Sequence, residues 1–137
     1  MKITLPARME SLAEARQFLL SRANAEGFPD DRMADVEISL EEALVNIFKY
    51  AYPEGDGNVE IACRTDETGT FVIEISDAGI PFDILSVDEP DVTLDIKNRQ
   101  IGGLGILLIR KLMDNVTYHR EGGRNILTFT VSKTPRK

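Results

Sequence analysis

Two rhythms of apolar positions run along the chain. Leu12, Ala15, Phe18 and Leu19 recur at helical spacing behind Ser11-Leu-Ala-Glu14, which has the form of a capping box, and they predict a helix ending near Gly27. Pro29-Asp30 restarts the chain, and a second, longer helix is predicted to run to about Tyr50, stopped by Pro53 and Gly55. Val36, Leu40, Ala43, Leu44, Ile47, Phe48 and Ala51 share one face of that helix, which must pack on something apolar. The other rhythm has a period of two. It marks residues 2–5 as a short strand, and Asn58–Arg64 and Thr70–Ser76 as a hairpin joined by Thr-Asp-Glu-Thr-Gly. Regularity disappears from Asp77 to Gly103, and irregular connections of that length inside compact domains are usually functional or mobile. A short apolar helix, Leu104 to Met113, follows, and Val116–Arg120 and Ile126–Ser132 close the chain as a hairpin across Glu-Gly-Gly-Arg. The order β-α-α-β-β-loop-α-β-β predicts an α+β two-layer sandwich, one mixed β-sheet covered on one face by helices. No repeat, low-complexity tract or linker interrupts it, so residues 1–137 read as a single domain.

Composition narrows the function classes. Hydrophobic residues at 42% and charged residues at 28% fit a globular protein rather than a disordered one. No apolar run approaches the roughly 20 residues of a membrane span, and Met-Lys-Ile-Thr-Leu is no signal peptide, so neither a membrane nor secretion is expected. Cys63 is the only cysteine and sits in the run Ile61-Ala62-Cys63, which excludes a disulfide framework and reads as a small buried hydrophobe. A reducing cytoplasm is the default compartment. The formal charge of −7 argues against direct nucleic-acid binding, and the nearest basic cluster is only the short tail Lys133–Lys137. An acidic chain that binds phosphates must hold them with local groups: backbone amides, a helix N-terminus, a metal ion, an arginine.

Three constellations offer such groups. Ser39, Glu42, Asn46 and Tyr50 form a stripe beside the apolar face of the second helix, and Glu42 and Asn46, at i and i+4, project to one spot. A carboxylate and a carboxamide so placed supply a base and an oxygen ligand for a Mg²⁺–phosphate site; a solvated rim with a hydrogen-bonded Asn is the plainer alternative. Asp77-Ala-Gly-Ile-Pro-Phe-Asp83 leaves a strand. Asp77 can accept a hydrogen bond from an exocyclic amine, and Gly79 lets a flat ring come close, although an ordinary Asp-Gly turn has the same form. Ile101-Gly-Gly-Leu-Gly-Ile-Leu-Leu-Ile-Arg110 opens a helix with three glycines, an amide-lined turn suited to an anion or simply to close packing. It is neither a Walker loop nor a Rossmann fingerprint.

In this order and spacing, Glu-x-x-x-Asn on a helix, Asp-x-Gly-x-Pro-Phe after a strand and Gly-Gly-x-Gly opening a helix resemble the GHKL ATPase superfamily. That group includes gyrase, the heat-shock chaperone ATPase, histidine kinases and the mismatch-repair ATPase. The resemblance spans about Ala7 to Ser132. The short first strand, the two helices ahead of the Asn, Pro-Phe after Asp-x-Gly and Gly-Gly-Leu-Gly-Ile-x-Leu-Ile are similar to the anti-sigma-factor serine kinases. These bacterial switch proteins bind a sigma factor and phosphorylate an anti-anti-sigma partner.

The resemblance implies ATP and Mg²⁺ as ligands. Asn46 would coordinate the Mg²⁺, and Glu42 would be the catalytic glutamate that activates the attacking hydroxyl. Asp77 would bind the adenine amine with Gly79 beside the ring, and Gly102, Gly103, Leu104 and Gly105 would offer amides to the phosphates. Thr128 lies where the family's last strand makes a polar contact near adenine. Residues 83–101 would form the ATP lid, with Lys97 or Arg99 reaching the terminal phosphate, and Tyr50 stands where many relatives have His. Relatives of this branch are often homodimers. His119, the only histidine, reads as an ordinary strand residue, because a histidine kinase needs a phosphoacceptor His on a separate dimerisation helix.

The leading functional expectation is therefore a serine/threonine protein kinase acting on an anti-anti-sigma partner and binding a sigma factor. The alternative is an ATP-gated partner-binding module without phosphotransfer. Glu42 favours the enzyme, since binding alone needs no carboxylate there.

Overall fold

The computed structural model describes residues 1–83 and 103–134, with the backbone alone over 103–105. The elements are β1 (Lys2–Pro6), α1 (Leu12–Ala25), α2 (Asp30–Tyr50), β2 (Asn58–Thr65), β3 (Phe71–Asp77), α3 (Gly103–Leu112), β4 (Asn115–Glu121) and β5 (Arg124–Val131). The strands form one sheet in the order β1-β2-β3-β5-β4. Among the described residues no helix is long and apolar enough to cross a membrane.

The α+β class is as expected, but the mixed sheet is corrected: each of the neighbouring pairs is antiparallel. The reason is the placement of the last hairpin. β4 runs in the direction of β3 but lies one position beyond it, and β5 turns back into the gap between them. The turn is tight because Gly122 and Gly123 take φ of 58° and 77°, the left-handed pair that a two-residue hairpin requires. It also starts β5 at Arg124, two residues earlier than the periodicity predicts.

The capping box at Ser11 does not form. Ser11 has helical dihedrals and no side-chain capping bond, and its N–H bonds the Arg8 carbonyl at 2.9 Å within a 3₁₀ turn over Met9–Ser11. The chain is already helical a turn earlier, and extended Arg8 precedes it, so Ser11 lacks the non-helical backbone that an N-cap needs. The other end of α1 follows the usual logic: Gly27 takes φ 81°, and the Phe28 N–H returns to the Ala23 carbonyl at 3.1 Å. Asp30 and Asp31 in the first turn of α2 oppose the positive end of its dipole.

The core lies between the sheet and α1, α2 and α3. Leu19, Leu40, Leu44, Ile61, Ile73, Ile106, Ile109 and Phe129 are completely buried there, each worth about 1.5–3 kcal/mol in transfer from water. Burial raises the pKa of the Cys63 thiol above its ordinary value, so the side chain packs as a neutral hydrophobe. Register sets one consequence for function. Across β3 and β5 the helix-facing pairs are Phe71–Val131, Ile73–Phe129 and Ile75–Leu127, and then Asp77–Asn125. An apolar row ends in a buried carboxylate and a buried carboxamide.

A second polar cluster occupies the opposite end of the β4–β5 hairpin. Arg32, 0% exposed, donates to the Asp35 carboxylate at 2.7 Å and the Asp114 carboxylate at 2.9 Å. It also reaches the carbonyls of Leu112 at 3.2 Å and Ser132 at 3.1 Å. The second Asp114 oxygen accepts the Ser132 N–H at 2.7 Å. One guanidinium thereby ties the start of α2 to the end of α3, the approach to β4 and the exit from β5.

Candidate functional site

The site is assembled where α2, the end of β3 and the start of β5 meet. On α2, the apolar face buried on the sheet holds Ala43 and Ile47 against the strands, and Asn46 beside them is 6% exposed. Its Nδ2 donates to the Glu42 backbone carbonyl at 2.8 Å, which directs Oδ1 away from the helix axis. Among the described residues, no hydrogen bond engages that oxygen. Glu42, one turn earlier, is half-buried, as a rim carboxylate would be. Ser39 departs from the predicted stripe: it is fully buried, and its hydroxyl has no partner among the described residues.

Asp77 ends β3 and is 3% exposed. Its Oδ1 accepts two hydrogen bonds, from the Gly79 N–H and from Asn125 Nδ2, both at 2.9 Å. Oδ2 has no partner among the described residues and remains for a donor in the cleft. Gly79 is required by the packing of the chain itself. A Cβ there would sit 2.2 Å from the Ala51 carbonyl oxygen, and the next residue, Ile80, donates its N–H to that oxygen at 2.9 Å. Its close neighbour within the protein is the C-terminal end of α2.

Asn125 is the residue that sequence reasoning missed. Besides Asp77, its Nδ2 reaches the Ile80 carbonyl at 2.8 Å. Its Oδ1 accepts the Tyr118 hydroxyl at 2.6 Å, the Phe82 N–H at 3.2 Å and Arg120 at 3.2 Å. In the sequence it follows Gly-Gly-Arg and reads as part of the turn; only the early start of β5 puts it in the sheet. Thr128 is corrected for the same reason of register. The helix-facing positions of β5 are 125, 127, 129 and 131, so Thr128 lies on the outer face, between Glu74 and Thr117.

Asn46, Asp77 and Asn125 line one cleft, narrow as it stands, with a cavity volume of about 30 Å³. Its other walls are apolar: Ile47, Ala51, Ile75, Phe82, Tyr118 and Leu127. A mostly apolar cleft with a few convergent polar groups is the form of a small-molecule site. Tyr50 stacks behind Phe82, with ring centroids 5.6 Å apart. The glycine motif is seen in part: Gly103 to Gly105 begin α3, whereas Gly102, Lys97, Arg99 and the predicted lid beyond Asp83 lie outside the described residues. His119 is exposed on β4, its Nε2 3.3 Å from the Glu121 carboxylate.

The model of the histidine kinase-like ATPase domain matches residues 5–131, from the end of β1 through β5. The chain belongs to that family. The serine-protein kinase RsbW of Bacillus cereus (strain AH187) is 30% identical over 130 residues, covering 92% of this chain and 81% of that protein. The serine-protein kinase RsbW of Bacillus thuringiensis (strain Al Hakam) is 29% identical over the same shares. Among solved structures, the SiaB–SiaC complex from Pseudomonas aeruginosa holds a chain that superposes with a TM-score of 0.58 at 20% identity, over 96% of this chain and 88% of that one. The histidine kinase domain of the Erythrobacter litoralis EL346 blue-light activated kinase superposes with a TM-score of 0.56 at 16% identity, over 88% and 60%. Both structures share the fold.

The donor set also bears on Mg²⁺. That ion takes oxygen ligands and is held by one or two protein groups plus substrate phosphates. Asn46 Oδ1, fixed in direction by the bond from Nδ2 to the helix, fits such a role. Among the described residues no cluster of His, Cys, Asp and Glu offers an all-protein metal cage.

Proposed function

We propose that this protein binds ATP with Mg²⁺ in the cleft between Asn46 and Asp77 and is a serine/threonine protein kinase of a sigma-factor switch in the cytoplasm. Its phosphoacceptor would be a small anti-anti-sigma-type protein, and it would also hold a sigma factor. The observation that carries the nucleotide reading is the buried Asp77–Asn125 pair, which ends an apolar row and leaves Asp77 Oδ2 for an amine. The kinase reading is supported by the serine-protein kinase relatives along 92% of the chain.

In this reading Asp77 accepts from the adenine amine, and Asn125 takes the polar position on the last strand that was expected of Thr128. The amides of Gly102, Gly103, Leu104 and Gly105 receive phosphate oxygens, and Arg99 or Lys97 pairs with the terminal phosphate. Asn46 Oδ1 would hold Mg²⁺, which when bound neutralises phosphate charge. Glu42 takes the proton of the partner's serine hydroxyl as its oxygen attacks the γ-phosphorus. The bond to the β–γ bridging oxygen breaks, so the products are phosphoserine and ADP.

The test is Glu42→Gln in a single-turnover assay at saturating Mg²⁺–ATP with the cognate partner. A general base contributes roughly 10²–10⁴-fold, so transfer should slow at least a hundred-fold while nucleotide affinity holds. Unchanged transfer removes Glu42 as the base. Absence of transfer by the wild type to its cognate partner overturns the kinase and leaves a nucleotide-gated binding module.

A further inference from the structure

Asn125 does more than fill a polar position. Its single side chain grips the turn after β3 at residues 77, 80 and 82, through the Asp77 carboxylate, the Ile80 carbonyl and the Phe82 N–H. Arg120 fastens the same turn from β4, donating to the Gly79 carbonyl at 2.8 Å as well as to Asn125. The orientation of the carboxamide follows from chemistry. Three donors converge on Oδ1, from Phe82, Tyr118 and Arg120, whereas the partners of Nδ2 are a carboxylate and a carbonyl, which only accept. A flipped amide would set donor against donor at Phe82 and Arg120 and acceptor against acceptor at Asp77 and Ile80; only the Tyr118 hydroxyl suits either orientation.

We infer that Asn125 is a positioning residue that sets the base selectivity of the cleft, an inference resting on the adenine role of Asp77. With the amide fixed, both donors to Asp77 fall on Oδ1, and Oδ2 is left without a partner among the described residues, beside the cleft that Asp77 lines. Remove Nδ2 and the carboxylate keeps one tether, the Gly79 N–H from its own turn. Rotation about a terminal sp³–sp² torsion is soft, so a singly tethered carboxylate no longer presents one oxygen in one direction. Adenine, with an amine at position 6, loses its advantage over hypoxanthine, which has a carbonyl there.

The experiment titrates the purified protein with ATP and with inosine triphosphate, both with Mg²⁺, and reads the ratio of the two affinities. The wild type should prefer ATP by about ten- to a hundred-fold, the worth of one charge-assisted hydrogen bond. Asn125→Ala removes the donor to Asp77 and leaves the Gly79 N–H as the one tether; its ratio should fall toward one, mainly by loss of ATP affinity. Tyr118→Phe removes the 2.6 Å bond that helps fix the amide and changes a half-buried residue, so it stays testable if the Ala variant does not fold. Its ratio should fall by about threefold, the share of a neutral hydrogen bond. An Asn125 that only stabilised the fold would weaken both nucleotides equally, so an unchanged ratio in the folded variants overturns the inference. A wild type with no preference for ATP overturns instead the adenine role of Asp77, a failure seen before any variant is made.

Discussion

The β4–β5 hairpin carries a buried polar hub at each end, and the two differ in one respect. At the Ser132 end, the Arg32 guanidinium spends its donors on two carboxylates and two carbonyls, and the Asp114 carboxylate is engaged at both oxygens. At the Asn125 end, the carboxamide is as fully engaged, but its neighbour Asp77 is bonded through Oδ1 alone and faces a cleft. Buried polar groups are costly unless paired, so a closed hub is explained by the fold it holds together. A hub with an acceptor left over beside an apolar cleft is explained only by something that comes to fill it. Burial and bond count alone would have ranked the Arg32 hub first.

Breaking the closed hub should have the largest effect on stability and none on recognition. Arg32→Met removes the guanidinium from the buried Asp35 carboxylate, and loss of one member of a buried pair costs about 3–5 kcal/mol. Urea denaturation should show this as a large fall in midpoint, and a second change, Asp35→Leu, should restore much of it, because well-packed apolar groups can replace a buried pair. The ATP-to-inosine-triphosphate ratio of the folded fraction should equal that of wild type. A changed ratio would mean that the two ends of the hairpin are coupled.

Breaking the open hub should do the reverse. In Asp77→Asn the side-chain oxygen can still accept from the Gly79 N–H and Asn125, as Oδ1 does now. The new amide nitrogen then points into the cleft and meets the adenine amine donor to donor. Loss of a charge-assisted hydrogen bond costs roughly 1.5–3 kcal/mol, or about ten- to a hundred-fold in affinity, with little change in the urea midpoint. Titration with a fluorescent ATP analogue measures it, and wild-type affinity would remove Asp77 from the site.

How much of this contrast was legible in the sequence depends on how far apart the partners lie. The α2 stripe is local, so Glu42 and Asn46 could be placed from helical spacing alone, and Asp77 from its position at the end of an alternating run. The Arg32 hub joins residues 80, 82 and 100 positions apart, and no local pattern announces it. Asn125 was hidden by turn chemistry. With strands expected at Val116–Arg120 and Ile126–Ser132 across Glu-Gly-Gly-Arg, Asn125 falls in the connection, yet the positive φ of both glycines closes the hairpin in two residues and moves Asn125 into register with Asp77. Thr128 failed because the side of a strand is fixed by parity, which the family pattern alone did not supply. Gly79 reads in the sequence as a point of close approach, but the Ala51 carbonyl that crowds it lies 28 positions earlier, where no local pattern announces it.

Asn46→Ala probes the metal side of the same cleft and should act more gently on ATP. The variant loses the oxygen aimed by the bond to the Glu42 carbonyl while Asp77 and Asn125 stay in place. Adenine selectivity should therefore persist, and the gain in ATP affinity on adding Mg²⁺ should largely disappear. Full Mg²⁺ enhancement in the variant would rule out Asn46 as the ligand.

The smallest effect is expected from a hub that is closed but exposed. Asp66 in the β2–β3 turn accepts from the Thr68 hydroxyl at 2.7 Å and from the N–H groups of Thr68 and Thr70 at 2.9 and 3.0 Å. It makes as many local bonds as a buried group would, but in water, where competing hydration cancels most of their worth. The Thr68 hydroxyl, the largest cause, holds the Asp66 pKa below its ordinary value, because it donates to the charged form. The sign follows: the folded state binds this proton less readily than the unfolded chain, so the contribution is present above the ordinary carboxylate value and is lost as pH falls through the lowered one. Amide resonances of Thr68 and Thr70 should titrate together, with a midpoint below that of an unstructured aspartate. Asp66→Ala should abolish that titration while leaving the urea midpoint within experimental scatter of wild type. A fall comparable to that of Arg32→Met would show that bond count rather than burial decides the worth of a polar hub, and the contrast between the two ends of the hairpin would lose its physical basis.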